Sequence, residues 1–374
     1  MVNKICAIVP TVREFKIIKE YFENAVKYDF DTSKIFLLFV TEDFCDSSSM
    51  KGFIKDSGIE GHVFNESERY SWFKEMKIEE FYDIIPKKSH SETSFGLLWM
   101  FQNKEFDCGI FIDDDTLPNP NFNFFGEHIK NLEFEGKLDV VESDKKFVNV
   151  LYQNFQRHRF YPRGYPYSRM KENISIKNMT IKDVYASQGL WTNMPDLDAI
   201  RILMNGGLKG LVESKTILED FKNNFVVENK NYLTVCSMNL AFRREIIPAF
   251  YQLPMADNPW KIDRFDDIWS GFIIKRILDE TDKNIVNGFP LCIHNKAERS
   301  TFKDLFHEVN GLEINEHLCE ILDKIEFESK DFLDMYKKIA QEFIEGNWKY
   351  LNGEFINYMG RKMQKWAECL EKLA

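Results

Sequence analysis

Three short apolar runs constrain this chain most: Ile5 to Val9, Ile35 to Val40 and Cys108 to Ile112. Each is continuous, rich in β-branched or aromatic residues, and ends at a turn or a polar cluster, as buried strands do. Between the first two, Phe15 to Val26 carries Ile17, Ile18, Tyr21, Phe22 and Val26 at helical spacing. Between the second and third, Ser94 to Phe101 is another short amphipathic piece. Strand–helix–strand alternation predicts an α/β fold whose central sheet is mainly parallel and flanked by helices. Ligands on such sheets bind beyond the carboxyl ends of the strands. Attention therefore falls on Pro10-Thr11-Val12-Arg13, Thr41-Glu42-Asp43 and Asp113-Asp114-Asp115.

The middle of the chain, from about Tyr152 to His294, mixes turns with short strands and is rich in aromatic residues. Asn284 to Phe289 and Leu291 to His294 read as strand material. The tail differs: Phe332, Leu333, Met335, Tyr336, Ile339, Ala340, Phe343 and Ile344 follow helical spacing. Phe355, Met359, Met363, Trp366 and Leu370 do so again after Gly353, so two amphipathic helices close the chain. They are expected to pack on the core or to form a homo-oligomer interface.

Composition narrows the partners. An apolar fraction of 44% with 34 Phe can build a core, which excludes disorder. A net charge of −11 argues against coating nucleic acid, because that binding depends on Lys and Arg neutralising phosphates. It leaves room for a small phosphorylated ligand held through a metal ion. No apolar run approaches the roughly 18–20 residues of a membrane span, and Met1 to Arg13 lacks a signal peptide's pattern. The seven cysteines are scattered without CxxC spacing, so a reduced, cytoplasmic protein is expected.

The third strand runs straight into Asp113-Asp114-Asp115. Crowding three carboxylates costs free energy unless a cation compensates. In extended backbone Asp113 and Asp115 project to the same face, a ready site for Mn²⁺ or Mg²⁺, hard cations that share oxygen ligands with substrate phosphates. This is the DxD arrangement of nucleotide-sugar glycosyltransferases, in which the metal offsets charge on the leaving nucleotide. A solvated turn is the alternative. No GxGxxG follows the first strand, so a nicotinamide or flavin enzyme is not expected.

Further motifs resemble one family in order. Arg163-Gly-Tyr-Pro-Tyr-Ser168 is similar to the RGYPFS motif of the reversibly glycosylated polypeptides, the UDP-arabinopyranose mutase family. Ser187-Gln-Gly-Leu-Trp-Thr-Asn-Met-Pro-Asp-Leu-Asp198 resembles its SHGLWLNIPDYD, and Cys236-Ser-Met-Asn-Leu-Ala-Phe242 its CGMNLAF. Arg264-Phe-Asp-Asp-Ile-Trp-Ser-Gly271 resembles RYDDMWAG, and His294-Asn-Lys-Ala297 resembles HSKA. Upstream, Val9-Pro-Thr-Val-Arg13 and Ile112-Asp-Asp-Asp115 resemble IPTIR and IDDD. The resemblance covers roughly residues 5–320, though Phe44 to Lys88 and the helical tail match poorly. It departs at Met170, where plant members carry a second functional Arg, and at Gln188, which replaces the His of SHGLW.

The resemblance implies a GT-A-like (Rossmann-like) catalytic domain over residues 1–305 with a helical extension over 306–374. It also implies a UDP-sugar substrate, a divalent metal and reversible self-glycosylation of Arg163 during a flavin-independent pyranose–furanose interconversion. A GT-A glycosyltransferase acting on a separate glycan acceptor is the alternative; a non-catalytic UDP-sugar-binding subunit is another. As nucleophile, Arg163 needs a carboxylate to take a guanidinium proton; a bidentate diphosphate clamp or a salt bridge are its other readings. Asp266 and Asp267 serve catalysis or cap the helix that follows. Pro10, Thr11, Arg13, Asp43 and Asp114 are candidates for the nucleotide. Trp191, Asp196, Asp198, Asn239 and Trp269 are candidates for the sugar. Asp113, Asp115 and His294 are candidates for the metal, and Lys296 could reach a phosphate.

Overall fold

The computed structural model describes residues 2–12, 15–255, 258–348 and 351–374. Arg13 lies outside the described residues. The three apolar runs become adjacent parallel strands: β1 (Ile5–Pro10), β2 (Ile35–Val40) and, after β3 (Glu60–Phe64), β4 (Cys108–Ile112). Their order is β3-β2-β1-β4. Helix α1 (Ile18–Lys27) connects β1 to β2, α2 (Ser47–Ser57) connects β2 to β3, and α3 (Glu66–Glu75) and α4 (Thr93–Gln102) lie between β3 and β4. Asp46 and Asn65 cap α2 and α3 with their side chains, satisfying first-turn N–H groups.

Downstream come β5 (Thr116–Pro118), α5 (Phe124–Leu132), β6 (Gly136–Ser143), β7 (Phe147–Val148), β8 (Ile174–Ile181) and β9 (Val184–Asn193). Then follow α6 (Ala199–Met204), β10 (Phe225–Val227), β11 (Tyr232–Leu233), β12 (Asn239–Arg243), α7 (Asp266–Glu280) and β13 (Asn284–His294). Beyond β4 the main sheet continues β12-β9-β13-β10-β6-β8, while β5 pairs with β13 and β7 pairs with β11 apart. This half is mixed, because β12 runs antiparallel to both β4 and β9. The two strand-like pieces near His294 are one strand, β13, whose pairing with β9 shifts register between Gly288 and Cys292, around Pro290.

Alternation along the strands divides the core between the two faces of the sheet. Cys6 and Ile8 belong to one apolar cluster, and Ile5, Ala7 and Val9 to the other. In β2, Leu38 and Val40 oppose Ile35, Leu37 and Phe39 in the same way. Helices α1 and α5 cover one face; α4 and α7 cover the other with α8 (Thr301–Asp323), α9 (Phe332–Glu345) and α10 (Gly353–Leu373). The result is the expected α/β class, a sheet between two helical layers.

The terminal helices α9 and α10 form where their spacing predicts, and their apolar faces are taken up inside the chain. Trp366 is fully buried, stacks on Tyr251 at 4.7 Å and donates from its indole N–H to the Pro248 carbonyl. The division expected at residues 305/306 falls inside α8, and α8 to α10 share one continuous core with the sheet. Among the described residues no helix is long and apolar enough to cross a membrane. The seven cysteines are free thiols, all buried except the partly exposed Cys45.

Candidate active site

Because β1 and β4 are parallel neighbours, Thr11 and Asp113 emerge at the same edge of the sheet. A cleft of about 480 Å³ opens there. One wall is the β1 end with Asp113-Asp114-Asp115; the others come from the Arg163 loop, the start of α7 and the end of β13. The three acids occupy a turn, with Thr116 N–H reaching the Asp113 carbonyl at 3.3 Å, so the extended same-face geometry expected of them is not what brings them together. Thr11 Oγ1 donates to Asp114 at 3.0 Å, and Asn295 N–H donates to the Asp115 carbonyl at 2.9 Å. These bonds tie the acid turn to β1 and to the residue after His294.

The acids are under electrostatic load. Burial, and then the neighbouring Asp115, push the Asp113 carboxyl up to about 7. His294 Nδ1 donates to the Met194 carbonyl at 2.8 Å, which orients the ring so that Nε2 lies 3.7 Å from Asp115. Among the described residues no three His, Cys, Asp or Glu side chains converge as a ready-made ligand shell. The donor set still suits a hard or borderline cation completed by substrate oxygens: two crowded carboxylates and one imidazole oriented by the Met194 carbonyl.

Arg163 faces these acids from a loop shaped by Gly164. Gly164 has φ +83°, and a Cβ there would meet Ile268 at 2.2 Å, so only glycine brings this loop so close to α7. Arg163 Nε donates to Asp196 at 3.0 Å, and its Nη1 donates to Asp267 at 3.2 Å and to the Arg264 carbonyl. Arg264 itself is left-handed at φ +72°, a conformation costly for a non-glycine residue. Burial alone would lower the Arg163 pKa, but Asp196 and Asp267 outweigh it and hold the guanidinium well above its usual value. Burial would raise Asp196; Arg163 and then Lys296 overcome that and keep its carboxyl well below the usual range.

Asp266 and Asp267 open α7, and Asp267 accepts from Ile268 N–H at 2.9 Å, so part of its role is capping. Both also line the cleft. Lys296 lines it too: its Nζ is buried without a hydrogen-bond partner among the described residues, and burial pushes the ammonium down to about 8 against the pull of Asp196.

Five expected site residues lie elsewhere. Asp43 accepts from Ser67 N–H and Oγ at 2.9 and 2.6 Å, bracing the first turn of α3. Asp198 caps α6, takes the Tyr167 hydroxyl at 2.7 Å and pairs with Arg201. Asn239 bonds His128 and the Leu190 carbonyl inside the sheet layer. Trp191 and Trp269 are core residues; Trp269 stacks on Phe265 at 4.9 Å and donates to Asn315. None of the five lines the cleft.

The two departures from the family motifs also sit outside it. Gln188 accepts from Cys236 N–H at 2.7 Å and donates to the Thr234 carbonyl, holding the strand that leads to the cleft. Met170 packs with its sulfur 3.9 Å from the Arg201 guanidinium, which bonds the Pro162 and Tyr165 carbonyls on either side of Arg163.

The sequence reading missed His90, Glu92, Ser237 and Arg299, all on the cleft wall. His90 and Glu92 belong to Ser89-His-Ser-Glu92, which reads as an ordinary helix start. Only tertiary contact brings His90 Nδ1 to Asp266 at 3.3 Å, across 176 positions.

Comparison with known proteins points to the same family. The model of the reversibly glycosylated polypeptide family matches residues 76–374. UDP-arabinopyranose mutase 3 of Arabidopsis thaliana is 29% identical over 270 residues, 70% of this chain and 67% of that protein. UDP-arabinopyranose mutase 1 of the same plant is 32% identical over 235 residues, 61% of this chain and 57% of that one, so the match spans a little over half of that relative. A mannosyltransferase from Pyrobaculum calidifontis, solved with GDP-Man and Mn²⁺, aligns over 98% of this chain and 87% of its own at 11% identity and a TM-score of 0.41. The ordered motifs, the Arg163 loop and the family match over residues 76–374 lead to one conclusion: the chain belongs to the reversibly glycosylated polypeptide family.

Proposed function

We propose that this chain is a flavin-independent nucleotide-sugar mutase that interconverts the pyranose and furanose forms of a UDP-sugar through transient attachment of the sugar to Arg163. One observation carries the reading: Arg163 reaches into the acid-lined cleft with carboxylates on two edges of its guanidinium. A charged guanidinium is no nucleophile, so a proton must leave as the bond to the sugar's anomeric carbon forms. Asp196 and Asp267 are already hydrogen-bonded to the nitrogens that would release it. The names of the family and of its relatives support the same chemistry.

Asp113, Asp115 and His294 would hold Mn²⁺ or Mg²⁺, which when bound offsets charge on the diphosphate leaving group. Thr11 after β1 and Asp114 after β4 meet the nucleotide, and Lys296 supplies a buried ammonium, unpartnered among the described residues, for a phosphate oxygen. NMR of a UDP-pentose incubated with the protein and Mn²⁺ tests the reading: a furanose nucleotide sugar is expected, and an unchanged pyranose would end it.

One observation favours a second reading. Asp196 and Asp267 stabilise the charged guanidinium, which suits an Arg that clamps a diphosphate while the sugar passes to a separate glycan acceptor. Transfer to an added acceptor, without ring contraction of the donor, would select that reading.

A further inference from the structure

Two consecutive carboxylates at the start of α7 hold two different cations over one cleft. Asp267 meets Arg163 Nη1 at 3.2 Å, and Asp266 meets His90 Nδ1 at 3.3 Å. The His90 side chain keeps 32% of its surface exposed, and the residue lines the cleft beside Asp113, Asp266 and Asp267. With Nδ1 occupied, Nε2 is the free nitrogen of the ring; among the described residues it has no hydrogen-bond partner. The segment that carries it is fixed: Ser89 caps the turn, and Thr93 Oγ1 bonds the His90 carbonyl.

Ring interconversion needs a proton carrier, and four acids of the cleft are committed. Asp196 and Asp267 engage Arg163, while Asp113 and Asp115 form the crowded pair suited to a cation. Burial would lower the His90 pKa, but Asp266, with Asp113 and Asp267 behind it, pushes the imidazole up to about 10. His90 therefore enters the cycle as an acid.

We propose that His90 is the acid–base residue of the ring exchange. In the neutral sugar–Arg163 adduct, the bond from the anomeric carbon to the ring oxygen breaks. Its electron pair goes to that oxygen, which takes the Nε2 proton of His90, while the Arg163 nitrogen forms a C=N bond. A chain hydroxyl then adds to the same carbon, the π pair returns to nitrogen, and the hydroxyl proton passes to His90 Nε2. The protein ends with the protons it started with, and no oxidant or reductant is consumed. This step rests on the mutase reading above.

The test compares wild type with His90→Gln, which keeps an amide donor toward Asp266. Each protein is incubated with a UDP-pentose and Mn²⁺ and read twice: by peptide mass mapping for sugar on Arg163, and by NMR for furanose. His90→Gln is expected to label like wild type while furanose formation falls by about 10²-fold or more, the usual worth of a general acid–base residue. Furanose formation within threefold of wild type overturns the assignment. So does a parallel loss of labelling and furanose, which marks a binding or packing role. If thermal scanning shows that His90→Gln does not fold, His90→Asn carries the same two readouts. A wild type that neither labels nor makes furanose defeats the mutase reading itself; a variant that labels and makes furanose as wild type does defeats only the role of His90.

Discussion

At the residue scale, the site is a set of charges that stabilise one another. His90 and Asp266 shift in opposite directions, His90 upward and Asp266 downward, because each is the other's partner. For His90 the stabilisation is full below its ordinary value of 6.5 and is lost as pH rises through about 10. The melting temperature of wild type should therefore exceed that of His90→Gln at pH 6, and the gap should close as pH approaches 10. A gap that is constant across this window would remove the ion pair from the account. Gln188 illustrates a different role for a residue at a motif position. Its side chain satisfies the Cys236 N–H and the Thr234 carbonyl in the interior. Gln188→Ala should cost about 1–3 kcal/mol by leaving those groups unpaired, measured by denaturant unfolding, with nucleotide-sugar affinity changed far less. Residue types at strand ends were legible in the sequence, and Asp113, Asp114, Asp115, Thr11 and Asp196 do line the cleft. Trp191 and Trp269 were misread because a Trp near motif acids suits a sugar platform as well as a core, and only burial separates the two.

At the element scale, the Arg163 loop and α7 are fitted together through Gly164. The left-handed φ and the 2.2 Å approach to Ile268 leave no space for a side chain. Gly164→Ala should destabilise by about 1–3 kcal/mol from backbone strain alone and should abolish sugar labelling at Arg163. Pairing it with Ile268→Ala should recover stability lost to the clash but not the strain term, as a double-mutant cycle in urea would report. Helix α8 shows why part of the fold was not legible. Its core-facing side carries Asp304, Glu308 and Asn315, while Phe302, Phe306 and Val309 are exposed. The buried polar groups have partners: Glu308 accepts from Arg264 at 2.6 Å and Asn315 donates to the Gly164 carbonyl at 2.9 Å. In the first half of α8 the apolar residues therefore point away from the core, whereas Ile314, Leu318, Cys319 and Leu322 in the second half face it. By contrast, α9 and α10 bury the faces their spacing predicts.

At the scale of the whole molecule, the terminal helices are structural members of the core. Trp366 sits against Tyr251 and the Pro248 carbonyl at the back of the layer that carries α4 and α7. Trp366→Ala should cost about 3–5 kcal/mol, and deleting residues 351–374 should give protein that aggregates at temperatures where the full chain is folded. In the parallel half of the sheet β1, β2 and β4 were legible because they are continuous apolar runs, whereas β3, Glu-Gly-His-Val-Phe, is not such a run and was missed. The mixed half was legible only in part: β13 reads as strand material, while β10 and β12 are only three and five residues long and owe their pairing to distant partners. The whole arrangement converges on Arg163, and one measurement tests that most directly. Protein turning over a UDP-pentose with Mn²⁺ is quenched in acid, and its peptides are mapped by mass spectrometry. Sugar on the peptide containing Arg163, chased off by excess UDP as furanose nucleotide sugar appears, is the predicted result. Furanose formed at an undiminished rate by Arg163→Lys, with no sugar on any peptide, would contradict it.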